Sequence, residues 1–332
     1  MYNVGIYGGS FNPLHLGHVD CILKAAGLCK ELYVILSESR GMNQIPMRVR
    51  YRWVYQTVSH LGNVSLIVIS DDTSSKDEYT IENALEDSEY IKGIIGKPVD
   101  VVFTGSDYKE DSFYRKCYPK SDFVTFERNE ISSTKIRENP LKYWDWIPSC
   151  VKPYYVKKIL IMGIESTGKS VLSINLSKHF NTNFVEEAGR DLAMRSGDDR
   201  YMLPCDYTEI LLRHKLNEME AVNQSNRYLF IDTDVCYTRF YLDFLEKGLY
   251  DSQIKLADAI NGINDYDLIL YLEPDVPFVQ DGGRSEEMAA DREKYSKTLK
   301  DVISAYGKKI VSLSGTYNEK FDKAVELVEK LQ

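Results

Sequence analysis

"KKILIMGIESTGKS", residues 157–170, decides how this chain is read: a short apolar run passes directly into GxxxxGK[ST] at 163–170, and the apolar-periodic "VLSINLSKHF" follows. Strand, glycine-rich turn and helix in that order form a phosphate-binding loop. Its backbone N–H groups over 165–170 would cradle phosphates. Lys169 would reach the β and γ oxygens, and the Ser170 hydroxyl would ligate Mg²⁺. Gly163, Glu165, Ser166, Thr167 and Gly168 complete the expected ATP-binding turn.

Downstream, "RYLFID" (227–232), "YDLILYL" (266–272) and "KKIVSLS" (308–314) repeat the short apolar run between helical stretches. Upstream, a separate series reads "NVGIY", 16–29, "LYVIL", 47–60, "VSLIVI", 80–94 and "VDVVFTG". Alternation of this kind predicts parallel, doubly wound α/β sheets. At 332 residues the chain has room for two such domains. The proline- and aromatic-rich "NPLKYWDWIPSCVKPYY" (139–155) suits an ordered connector, which puts the domains at 1–150 and 151–332.

Partners for the loop follow it in sequence. "RYLFIDTD" ends a strand on Asp232 and Asp234, where a carboxylate meets the metal or the substrate hydroxyl in such enzymes. Asp232 is read as catalytic and as a metal ligand with Ser170, although a helix cap also fits Asp234. "EEAGRD" (186–191) offers Glu187 and Arg190 to an acceptor's sugar hydroxyls and phosphate charge. "DGGRSEEMAADREKY" (281–295) carries Arg284 beyond a glycine pair and Arg292 on the next helix, a pattern that reads as a lid over a transferring phosphoryl group, with Arg284 acting on it and Arg292 on ATP.

A second phosphate site stands near the N-terminus, in "NVGIYGGSFNPLHLGH" (3–18). Gly8 and Gly9 follow a strand and would let a triphosphate approach the backbone, with Ser10 and Phe11 continuing the turn. The helix start after Pro13 offers N–H groups to phosphate. His15 and His18, about one turn apart, can face one ligand and donate to it as charge builds in a transition state. Taken alone the pair would read as a cap and a packed side chain; the glycines favour the ligand. "ISSTKIR" (131–137) adds hydroxyls at Ser132, Ser133 and Thr134 and cations at Lys135 and Arg137 at a helix start, a second phosphate clamp. "FTGSDY" (103–108), at a strand end, offers Gly105 and Asp107 to adenosine.

These segments resemble those of mononucleotide adenylyltransferases, whose (H/T)xGH is "HLGH" and whose ISSTxIR is "ISSTKIR" here. The whole chain resembles the bifunctional nicotinamide-nucleotide adenylyltransferase and ribosylnicotinamide kinase family, the NadR type. "PDVPFVQDGGR" (274–284) adds independent support. The resemblance implies a Rossmann-like nucleotidyltransferase domain followed by a P-loop kinase domain. It implies phosphorylation of nicotinamide riboside to the mononucleotide (NMN) at the C-terminal site and its adenylylation to NAD at the N-terminal one, with ATP as co-substrate and Mg²⁺ at both. His15, His18, Ser132, Thr134 and Arg137 would then hold the triphosphate at the N-terminal site.

Two features depart from that family. The first strand pattern begins at residue 2, leaving no room for the helix-turn-helix repressor domain of some members, and "GGSFNP" is closer to stand-alone nicotinate-mononucleotide enzymes, which leaves base preference open. A formal charge of −9 also disfavours binding to DNA. No window resembles a membrane span or a secretory signal, so a cytoplasmic protein is expected. The six cysteines show no metal-ligand spacing and read as reduced thiols. A homo-oligomer is compatible with the sequence. The competing readings are an ATP- or NAD-sensing binding protein and a related adenylyltransferase fused to a kinase for another nucleoside. The full set of catalytic groups argues against a sensor.

Overall fold

Strands that read as nearly unbroken apolar runs belong in parallel sheets covered on both faces, and the computed structural model contains two such sheets. It describes residues 1–331 except 40, 74, 76–77, 106–112, 128–130, 190–191, 193–194, 197–200 and 281–284. The chain divides into two units, Met1–Lys152 and Pro153–Gln332.

The first unit contains β1 (Tyr2–Gly9), α1 (Leu16–Leu28), β2 (Cys29–Ser39), α2 (Met47–Val58), β3 (Val64–Asp71), α3 (Ile81–Ile95), β4 (Val101–Gly105), α4 (Phe113–Cys117), β5 (Asp122–Phe126) and α5 (Ser133–Glu138). Its strands pair in parallel in the order β3-β2-β1-β4-β5. Chain direction across the sheet reverses beside β1, so its C-terminal end lies where ligands bind in open α/β sheets. Ile6, Val34, Leu36 and Phe103 are at most 1% exposed; each such burial contributes about 1.5–3 kcal/mol. α1 packs through Cys21, Ile22, Ala25 and Ala26, the one-turn spacing of an apolar stripe.

The second unit contains β6 (Lys157–Met162), α6 (Lys169–His179), β7 (Asn183–Val185), α7 (Pro204–Val222), β8 (Tyr228–Asp232), α8 (Val235–Phe244), α9 (Asp251–Ile263), β9 (Leu268–Leu272), α10 (Glu286–Ala290), α11 (Arg292–Ala305), β10 (Val311–Leu313) and α12 (Tyr317–Glu329). The parallel order β10-β9-β6-β8-β7 puts β6, with the glycine-rich turn at its end, at the centre.

β5 and the three-residue β7 lie outside the apolar runs of the periodicity reading. β5, "DFVTF", is an edge strand with no fully buried residue, so it lacks the apolar run that marks its neighbours. β2 is longer than "LYVIL" because polar Glu31 still pairs with β1. No described helix is long and apolar enough to cross a membrane.

Candidate active sites

In the first unit the turn after β1 is closely packed. A Cβ on Gly8 would stand 2.5 Å from the Tyr114 hydroxyl, and one on Gly9 would stand 3.1 Å from the Phe11 ring. Beyond the turn, His15 occupies the N-cap position of α1 in extended backbone, and its side chain makes no capping bond. Its ring instead stacks on that of His18 at 3.7 Å, with an angle of 21° between planes. Phe11 meets His18 edge-on at 5.1 Å. Both imidazoles are buried, His15 at 1% and His18 at 6% exposure. The structure thus brings the two predicted histidines to one place, beside the glycine turn.

The "ISSTKIR" segment folds back on the same turn, 120 positions away in sequence: the Ser133 hydroxyl donates to the Pro13 carbonyl at 2.9 Å. Arg137 donates to the Asn12 carbonyl and, at 3.1 Å, to the Thr134 hydroxyl. Ser132 caps α5, its hydroxyl accepting from the Lys135 N–H. Gly105 closes β4 and is buried; Asp107 lies outside the described residues. A residue missed in the sequence is Arg50, whose guanidinium reaches Ser10 from α2. Its only signal was its place on the face of α2 that also carries Trp53, Val54 and Val58.

In the second unit, Gly163 has φ 150°, and a Cβ there would come 2.9 Å from the Leu272 carbonyl. Ser166 at φ 60° and Gly168 at φ 93° curl the loop into α6. Lys169 is buried, donates to the Ile164 carbonyl at 3.1 Å and lies 4.8 Å above the ring of Tyr237. Thr167 donates to the same carbonyl at 2.9 Å. The Glu165 carboxylate accepts from the Tyr241 hydroxyl at 2.5 Å and from the Ser285 N–H at 2.9 Å. Arg292 donates to the Ser166 carbonyl at 3.2 Å and to that of Val276, so it grips the loop's backbone. Its neighbour Val279 donates its N–H to the Ser166 hydroxyl at 2.7 Å.

Asp232 ends β8 opposite Ile161 of β6 and is 2% exposed. Asp234 caps α8 through the Cys236 N–H at 2.9 Å, and its second oxygen lies 3.4 Å from the Lys308 ammonium. Glu187, just past β7, is half-buried. Burial, together with the Glu187, Glu165 and Asp232 carboxylates, pushes the Tyr237 hydroxyl well above the usual tyrosine range. It therefore stays protonated. Tyr237 and Tyr241, one turn apart on α8, were missed because their spacing reads as core packing. Arg190 and Arg284 lie outside the described residues. A cavity of about 160 Å³ opens beside the start of α6, lined by Gly168, Val171, Leu172, Asn175, Leu272 and Tyr317.

Ser170 and Asp232 are hard oxygen donors at the ends of adjacent elements. That suits a Mg²⁺ ion that keeps most of its ligands from phosphate and water.

Comparison with known proteins agrees with this division. A cytidylyltransferase-like family model matches residues 6–139, and an AAA-domain model matches 158–320. Among solved structures, a NadR protein in complex with NR has a TM-score of 0.83 at 22% identity, over 99% of this chain and 96% of that one. A NadR protein in complex with NAD and AMP-PNP has a TM-score of 0.78 at 23% identity, over 100% and 96%. Those two likenesses establish the fold. The trifunctional NAD biosynthesis/regulator protein NadR of Salmonella typhimurium is 30% identical over 99% of this chain and 83% of its own length. With that identity along nearly the whole sequence, the chain belongs to the NadR family.

Proposed function

We infer that this chain is a bifunctional enzyme of NAD biosynthesis. The second unit phosphorylates nicotinamide riboside with ATP, and the first transfers the AMP moiety of a second ATP to the resulting mononucleotide, releasing pyrophosphate. The observation that carries this reading is the convergence, in the first unit, of a stacked histidine pair and the "ISSTKIR" segment on one glycine turn, in a chain that also holds a P-loop.

For adenylyl transfer, a 5′-phosphate oxygen of the mononucleotide attacks the α-phosphorus of ATP and the bond to the β-phosphate oxygen breaks. His15 and His18 donate to the phosphate oxygens as negative charge accumulates on the leaving pyrophosphate. Ser132, Thr134 and Arg137 hold the triphosphate, and Gly8, Gly9, Ser10 and Phe11 line it; Gly105 and Asp107 contact adenosine. For phosphoryl transfer, the riboside 5′-hydroxyl attacks the γ-phosphorus and ADP leaves. Lys169 shifts from the Ile164 carbonyl to the β and γ oxygens, and Gly163 to Ser170 wrap the phosphates. Ser170 and Asp232 would hold Mg²⁺, which would neutralise negative charge on the phosphates during transfer. Glu187 and Arg190 are assigned to the acceptor and Arg284 to the transferring group. Arg292 acts on ATP through the loop it grips. Both Asp234 oxygens have partners within the unit, so we place Asp234 behind Asp232 at the acceptor.

The two activities should be lost separately. Lys169→Ala should stop conversion of the riboside while leaving NMN plus ATP going to NAD, and His18→Ala should let NMN accumulate. Losing one such donor typically costs about 10²- to 10³-fold in rate, which an endpoint assay read by product mass resolves. Loss of both half-reactions by either variant, in folded protein, would refute the two-site reading.

A further inference from the structure

We propose that Arg50 is a positioning residue of the adenylyltransferase site: it sets the direction in which the phosphate-binding turn presents its N–H groups. The proposal rests on the reading of that site given above.

Arg50 is 0% exposed, although every other buried position of α2 is apolar. Its Nε donates to the Ile45 carbonyl at 2.8 Å, and Nη1 donates to the carbonyls of Ser10 at 2.5 Å and Ser37 at 3.0 Å. Nη2 donates to Glu38 Oε1 at 3.3 Å and to Asn43 Oδ1 at 3.4 Å. Burial weakens the hold of the guanidinium on its charge, and the Glu38 carboxylate partly offsets this. Taking a cation out of water is costly unless its donors are satisfied. Here they are spent largely on backbone carbonyls, one of which belongs to the catalytic turn.

That carbonyl matters because of peptide geometry. In a trans peptide the C=O and the next N–H point in opposite directions. Holding the Ser10 oxygen toward α2 therefore turns the Phe11 N–H away from α2. Phe11 itself sits at φ 46°, a left-handed conformation that a bulky residue keeps only when its surroundings impose it. The rest of the turn is anchored in the same sense. The Ile45 N–H donates to Asn12 Oδ1 at 3.2 Å, Arg137 donates to the Asn12 carbonyl, and Ser133 donates to the Pro13 carbonyl at 2.9 Å. With the carbonyls of Ser10 and Pro13 held by protein donors, the Phe11 and Leu14 N–H groups point away from those donors and are the ones left to face an anion; Pro13 has no N–H, so the hold on the Asn12 carbonyl anchors the turn without aiming a donor. Arg50 and Arg137 thus act on the triphosphate by different routes. Arg137 belongs to the segment that contacts it, whereas Arg50 acts only through the backbone.

The test is Arg50→Lys, which keeps the charge but lacks the fork that spans several carbonyls. Adenylyl transfer from ATP to NMN should fall at least tenfold in kcat/KM, while riboside phosphorylation on the same protein stays within twofold of the parent. Amide hydrogen exchange over residues 9–14 should quicken at least tenfold. Val54→Ala serves as the comparison, since Val54 is a fully buried core residue on the same helix. A purely structural Arg50 would lose no more adenylyl transfer than Val54→Ala at equal loss of thermal stability, and that result overturns the proposal. So does an Arg50→Lys kcat/KM within threefold of the parent. Should Arg50→Lys fail to fold, Glu38→Gln loosens the guanidinium without removing it; a threefold or greater loss supports the proposal and an unchanged kcat/KM overturns it. If the parent itself makes no NAD from NMN and ATP, the assignment of the reaction falls. Exchange over 9–14 in the variants then decides the positioning claim, and unchanged exchange overturns it.

Discussion

Gly168→Ala offers a quantitative test of the kinase unit's geometry. Gly168 is the N-cap of α6, with φ 93° and ψ 18°. A Cβ there would lie 2.4 Å from Tyr317 Cε1 and 3.1 Å from Cδ1. Two separable costs follow. A non-glycine residue in left-handed backbone costs about 1–2 kcal/mol, and forcing a methyl into a packed contact costs about 1–3 kcal/mol. The substitution should therefore destabilise the second unit by about 2–5 kcal/mol, lowering its thermal midpoint by roughly 5–20 °C for a unit of this size. Tyr317→Leu removes the ring and hence the second cost only, so in that background Gly168→Ala should cost about 1–2 kcal/mol. The assay is a double-mutant cycle by calorimetry on the full chain, with riboside phosphorylation measured in parallel. The coupling should be about 1–3 kcal/mol. Phosphorylation should fall, because Lys169 is the next residue, while adenylyl transfer is untouched. An equal cost of Gly168→Ala in both backgrounds would refute the packing reasoning and leave backbone strain as the whole effect.

Asp232→Asn should slow riboside phosphorylation by about 10²-fold or more and raise the magnesium concentration needed for half-maximal rate; an unchanged magnesium titration removes Asp232 from the metal. Burial holds the His214 imidazole below its ordinary pKa, against the opposing pull of Asp234, Glu187 and Glu218. The folded state then binds this proton more weakly than the unfolded one. Its stabilising contribution is complete above the unfolded value of about 6.5 and is lost as pH falls below it. Stability of the second unit should decline from pH 7 toward 5, and His214→Phe should flatten that decline; an unaltered slope assigns the acid sensitivity elsewhere. Residues 1–152 and 153–332, expressed separately, should each unfold cooperatively, and two fragments without a transition would show that the units depend on one another.

Much of this molecule is local and therefore legible in sequence. Apolar runs such as "ILIM" and "LFI", bounded by turn residues, read as buried strands, GxxxxGKS after such a run reads as a tight turn into a helix, and "HLGH" at a helix start keeps its histidines within one turn. These readings hold because the interactions that cause them span a few residues. β5, "DFVTF", was missed because Asp122 and Thr125 interrupt its apolar residues and none of them is fully buried. The helix cap that the sequence offered for Asp234 is the bond the fold makes, and the fold adds Lys308 as a partner that no spacing pointed to.

By itself, the sequence determined the two doubly wound sheets and the glycine-rich turns that end β1 and β6, since periodicity and turn chemistry depend on neighbours along the chain. Only the tertiary structure decided which distant groups complete each site. Tyr241 against Glu165, Arg292 on the Ser166 carbonyl, Ser133 on Pro13 and Arg50 on Ser10 are contacts across 40 to 126 positions. No spacing rule encodes them. They arise because a parallel sheet delivers the C-terminal ends of separate strands to one edge, where backbone carbonyls buried by that convergence must find donors from wherever the fold supplies them.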